Sequence, residues 1–131
     1  ATVRQIGSAE SRLSGVSRAI NWIRAHYAEP MRLEALSDLA GMSLSTFHRH
    51  FRTVTTMSPL QFQKQVRLQQ ARARLLSGAD GAAETGFAVG YDSPSQFSRE
   101  YARQFGMPPG RDAARMRETL VVEGLAGIRA A

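Results

Sequence analysis

Apolar residues fall at steps of four, three and four along Val16, Ile20, Ile23 and Tyr27, with Trp22 beside them. That spacing draws one stripe on a helix, which must end before Pro30. Leu33, Leu36, Leu39 and Ala40 predict a second, shorter helix stopped by Gly41. Ser43 suits the cap of a third, in which Phe47, Phe51 and Val54 turn inward while Ser45, Thr46, His48, Arg49 and Arg52 face outward. Ser58-Pro59 then opens a long helix that runs through "LQFQKQVRLQQARARLL" to about Leu76. Phe62, Val66, Ala73 and Leu76 are placed toward a core, and Lys64, Arg67, Arg72 and Arg74 lie among them with no acidic neighbour.

The second half repeats the plan. "SGADG" at 77–81 reads as a loop, and Ala82 to Val89 as a weak helix, because an interior glycine, Gly86, costs about 1 kcal/mol relative to alanine. Gly90 ends it. Asp92 or Ser93 caps the next helix, with Pro94 in its first turn and Phe97, Tyr101 and Phe105 on one face. A short helix follows Pro108-Pro109, and residues 119–131, with Val121, Leu125 and Ile128, read as a loose tail helix or as disorder. Residues 1–12 show no periodicity and read as a linker or disordered end. No strand pattern occurs, so the fold class is all-α.

From Ser43 to Pro59 the chain matches itself fifty positions on: Ser43 with Ser93, Ser45 with Ser95, Phe47 with Phe97, Arg49 with Arg99, Phe51 with Tyr101, Met57 with Met107, Pro59 with Pro109. Each copy is a short helix, a glycine turn and a capped second helix, the outline of a helix-turn-helix. Packing explains the recurring phenylalanine. It does not explain an arginine that recurs on the opposite face. Arginine suits a major groove because its planar fork bonds guanine O6 and N7, and Gln96 can do the same for adenine. A helix from Ser58 to Leu76 would be about 28 Å long, against roughly 34 Å between successive major grooves on one face of DNA. Two reading helices held that far apart suit adjacent grooves.

Composition narrows the partners. Seventeen Lys and Arg against eleven Asp and Glu give a formal charge of +6, which attracts polyanions. The absence of cysteine excludes disulfides, thiolate metal sites and cysteine nucleophiles. His48 and His50, two apart on a helix, point to different sides and make a poor metal site. No phosphate loop, nucleophile elbow or dinucleotide fingerprint is present, so neither an enzyme nor a cofactor is expected. A basic helix lying on anionic lipid, or a nonspecific polyanion binder, is the alternative reading. No apolar run is long enough to span a bilayer, and the expectation is a cytoplasmic protein without membrane contact. The chain begins Ala1-Thr2-Val3 and not with Met, as expected of a fragment or a processed product.

The stretches "VGYDSPSQFSREYARQFGMPP" (89–109) and "AGMSLSTFHRHFRTVTTMSPLQFQKQVRLQQARARLL" (40–76) resemble the DNA-binding domain of AraC/XylS transcription regulators. The resemblance extends from about Val16 to Arg117. It implies about seven helices forming two helix-turn-helix subdomains, residues 13–59 and 77–118, joined by a linker helix at 60–76. It also implies base reading by Ser45, Thr46, His48 and Arg49 in the first unit and by Ser95, Gln96 and Arg99 in the second. Arg52 and Arg103 would meet the DNA backbone, as would Ser43 and Ser93 at helix N-termini, with Lys64 and Arg67 as further phosphate contacts. The implied partners are double-stranded promoter DNA and RNA polymerase, with an effector-binding and dimerisation domain N-terminal to this chain. Three departures from the family pattern stand out. Thr56 occupies a position often held by glycine, Ala82, Thr85 and Gly86 predict looser packing, and Asp112 lies near a usual tyrosine.

Overall fold

The computed structural model describes residues 2–78 and 80–130, and every regular element among them is a helix. The order is α1 (Thr2–Ala25), α2 (Leu33–Ala40), α3 (Leu44–Thr55), α4 (Pro59–Ser77), α5 (Ala82–Ala88), α6 (Pro94–Phe105) and α7 (Pro109–Ala130). None of the described helices is long and apolar enough to cross a membrane. The chain divides into two compact units between Val66 and Arg67, so the boundary falls inside α4 and not at its ends.

The first unit is built on the stripe of α1. Val16, Ala19 and Ile23 bury against Leu36 and Ala40 of α2 and Phe47 and Phe51 of α3, with Phe62 and Val66 of α4 packed alongside. Gly15 lets α1 and α2 come together, because a Cβ there would fall onto the carbonyl oxygen of Ala40. Arg18 then ties α1 to the end of α2, its Nε donating to Leu39 O at 3.0 Å. Gly41, at φ 73°, turns the chain into α3. Gln63 is buried and donates from Nε2 to Glu29 O at 2.9 Å, satisfying the loop that follows α1. Helix α4 starts on a reciprocal cap, Ser58 N to Gln61 Oε1 at 2.9 Å and Gln61 N to Ser58 Oγ at 3.2 Å.

In the second unit Leu68, Ala71 and Leu75 of α4 take the part that α1 plays in the first, alongside buried Val89, Tyr91, Phe97, Tyr101 and Ala113. The turn between α5 and α6 mirrors the earlier one: Tyr91 N donates to Gly86 O at 2.9 Å, as Met42 N does to Ser37 O at 3.0 Å. Arg117 of α7 donates to Leu75 O at 2.8 Å and so caps α4.

Several expectations change. Residues 2–12, expected to be a linker or disordered, continue α1, whereas the tail from 119, read as a loose helix or as disorder, is helical and continues α7. Residues 9–14 are exposed, as are 117–127, so these turns extend helices already nucleated elsewhere. The side chain of Ile128, residue 79 of the 77–81 loop and the terminal residues lie outside the described residues. Val54 and Leu39 are 44% and 41% exposed, not buried. Ala73 is exposed too, since the core face of α4 in this unit runs through Leu68, Ala71 and Leu75. Around Gly86 the packing is tight, not loose. Thr85 is fully buried, and a Cβ on Gly86 would lie 2.8 Å from the Phe97 ring.

Candidate nucleic-acid interface

Helix α3 is set by its cap and its aromatic face. Ser43 Oγ accepts from Thr46 N at 3.4 Å and donates to Thr46 Oγ1 at 2.9 Å, while Phe47 and Phe51 are fully buried with ring centroids 5.5 Å apart. With that face fixed, Ser45, Arg49 and Arg52 are exposed and Thr46 and His48 half-buried. Helix α6 repeats the arrangement. Ser93 Oγ accepts from Gln96 N at 3.2 Å, Phe97 and Tyr101 are buried with centroids 5.7 Å apart, and Ser95, Gln96, Arg99 and Arg103 are exposed. Each helix therefore holds one arginine in water two residues after a buried phenylalanine. Ser43 and Ser93 spend their oxygens on capping, and α6 begins with Pro94, which has no N–H to offer an anion.

The basic stretch of α4 is largely occupied by its own unit. Arg72 Nε bonds Asp112 Oδ2 at 3.1 Å, Arg74 pairs with Asp80 at 3.4 Å, and Arg67 is half-buried with its guanidinium 5.9 Å from the Tyr91 ring centroid. The sequence placed no acid among these cations, but the fold brings acids to them from elsewhere. Lys64 is half-buried.

Asp112 went unrecognised as a structural centre. Fully buried, its carboxylate accepts from Tyr101 Oη at 2.5 Å, from Arg72 and from Arg115 Nη2 at 3.1 Å. Burial alone would raise its pKa, but the Tyr101 bond and the two arginines outweigh that and hold it below the ordinary carboxylate value. The same burial and the same bond push the Tyr101 hydroxyl up. A signal was present in the repeat: Tyr101 stands where the first unit has Phe51, and a buried hydroxyl requires a partner. This cluster lies under α6 and fixes its buried face.

The model of a helix-turn-helix domain matches residues 36–115. This chain belongs to the AraC/XylS family. Among curated relatives of this AraC-type chain, the transcriptional activator RhaS of Escherichia fergusonii is 32% identical over 104 residues, spanning 76% of this chain but 37% of its own length. RhaS of Pectobacterium carotovorum is 29% identical, with 38% of its length covered. The chain thus spans little more than a third of these relatives. Among solved structures, the DNA-binding domain of the global transcriptional factor AdpA, in complex with a target DNA, superposes with a TM-score of 0.73 at 30% identity, covering 79% of this chain and 94% of that one. An AraC-type regulator from Chromobacterium violaceum shares the fold at a TM-score of 0.73 and 23% identity, covering 85% and 96%.

Proposed function

We propose that this chain binds double-stranded promoter DNA sequence-specifically as part of a cytoplasmic transcription regulator, with α3 and α6 in successive major grooves. The observation that carries this reading is the pair of exposed arginines, Arg49 and Arg99, at one position on two capped helices whose opposite faces are buried aromatics. Arg49 reads bases with Ser45, Thr46 and His48, and Arg99 with Ser95 and Gln96. Arg52 and Arg103, one helical turn further on, meet phosphates. Because Thr46 and His48 differ from Gln96 and Ser98, the site read is asymmetric. The domain then recruits RNA polymerase, under control of an effector-binding and dimerisation domain elsewhere in the protein.

Selection of bound duplexes from random DNA tests the reading. Two sequence blocks about one helical turn apart are expected, with Arg49→Ala relaxing one and Arg99→Ala the other at a cost of about 1–3 kcal/mol each. Recovery of duplexes without any shared sequence would leave a nonspecific polyanion binder.

A further inference from the structure

Leu39 stays exposed because it borders a cavity. Between α1 and α2 lies an opening of about 290 Å³, lined by Trp22, Pro30, Arg32, Ala35, Leu36 and Leu39. Its walls are fixed by the fold. Leu36 is buried in the core of the first unit, and Trp22 packs against the same cluster. The indole is also held by His26, whose ring stacks on it with centroids 4.6 Å apart and whose Nδ1 lies 3.0 Å from Trp22 O. An aromatic wall set in advance loses little freedom when a ligand meets it. Ala35 and Leu39, one turn apart on α2, keep apolar surface in water at the mouth. Among the described residues of the lining, Arg32 alone carries a charge. It is the N-cap residue of α2, it is exposed, and among the described residues no hydrogen bond or ion pair engages its guanidinium. Glu34 and Asp38 also stand on α2, but neither lines the cavity. An apolar cavity of about 150 Å³ is enough to hold benzene, so this one has room for a ring and a short chain that carries an anion to Arg32.

We propose that this cavity binds a small aromatic carboxylate, its ring against Trp22 and Leu39 and its carboxylate on Arg32. Apolar walls with one placed polar group are the usual makeup of a small-molecule site. No residue of α3 or α6 lines the cavity, so the inference holds or fails independently of the DNA-binding reading. A ligand there bridges α1 and α2 and stabilises the first unit by mass action.

Trp22 is the only tryptophan of the chain, so its fluorescence reports directly on the cavity. Titration with 3-phenylpropionate at neutral pH should change that emission saturably, with a Kd on the order of 1 mM. The uncharged 3-phenylpropanamide should bind about fivefold more weakly, and the difference should close in about 1 M salt. Arg32→Gln should bind acid and amide alike. Ala35→Phe, a substitution at an exposed position that fills the mouth, should bind neither while its thermal melt stays that of wild type. If that variant melts early, Leu39→Gln serves in its place and should weaken both ligands. Equal affinity of the wild type for acid and amide would overturn the inference, as would undiminished binding in the cavity variants or an emission that does not saturate by about 20 mM.

Discussion

The two units put different chemistry at one place in the fold. Fifty residues apart, Phe51 and Phe62 of the first correspond to Tyr101 and Asp112 of the second, and in the helix that supports each unit Ile20 corresponds to Arg72, just as Val16, Ala19 and Ile23 correspond to Leu68, Ala71 and Leu75. The first set is apolar: the Phe51 and Phe62 rings meet edge-on at 5.6 Å and Ile20 packs on the same core. The second is a buried carboxylate held by a phenol and two arginines. One fixes the buried face of α3 and the other that of α6. The apolar version tolerates imperfect geometry and any pH. The polar one works only while every partner is present, because an unmatched buried group costs more than the matched set contributes.

The largest expected effect tests that contrast. Asp112→Ala leaves the Tyr101 hydroxyl and Arg72 without their acceptor and should cost about 3 kcal/mol in urea unfolding, moderated by water at the partly exposed Arg72. Replacing the whole set by apolar groups, Arg72→Ile with Tyr101→Phe and Asp112→Leu, should instead return stability to within about 1 kcal/mol of wild type. A triple variant as weak as the single one would break the equivalence of the two centres. Acid offers the same test. Since the pKa of Asp112 is lowered in the fold, its contribution is present above its unfolded value near 4 and is lost as pH falls below it. Wild type should lose stability below about pH 4 more steeply than the triple variant.

A smaller effect separates the helix contacts. The first unit places its close-packed glycine between α1 and α2, at Gly15, and the second between α5 and α6, at Gly86. Gly15→Ala and Gly86→Ala should each destabilise by about 1–3 kcal/mol despite the better helix propensity of alanine. Ser37, the counterpart of Gly86, already carries a Cβ while buried, so Ser37→Ala should stay within about 1 kcal/mol. Thermal melts that rank Ser37→Ala with Gly86→Ala would erase the distinction.

The smallest effect concerns the exits from α3 and α6. Thr56 ends α3 at φ 64° and Gly106 ends α6 at φ 86°. A β-branched residue in that left-handed region is strained, whereas glycine is at ease there. Thr56→Gly should stabilise by about 1 kcal/mol and Gly106→Thr should destabilise by a similar amount. Equal melting of Thr56→Gly and wild type would mean that the exit of the first unit carries no strain.

Much of the site was legible in the chain. The inward set Phe47, Phe51, Phe97 and Tyr101, the caps Ser43 and Ser93, and the exposed Arg49 and Arg99 all follow from helical period and capping chemistry. Less legible were Val54, Ala73 and Leu39, whose apolar character or spacing suggested burial that no neighbour provides. The N-terminal extension of α1 was hidden because it carries no apolar period, and its residues 9–14 are exposed. Arg67 and Arg72 read as surface cations until the fold supplied Tyr91 and Asp112.

The sequence by itself determined the helices, their caps, the repeat and the outward placement of the paired arginines, because those depend on contacts within about four residues along a helix. Tertiary structure alone decided which arginines are consumed by the protein and which remain on its surface. Asp112 meets Arg72 across forty positions of chain, and Arg117 reaches the carbonyl of Leu75 across forty-two. Such pairings depend on which faces of distant helices pack together, which no local period records.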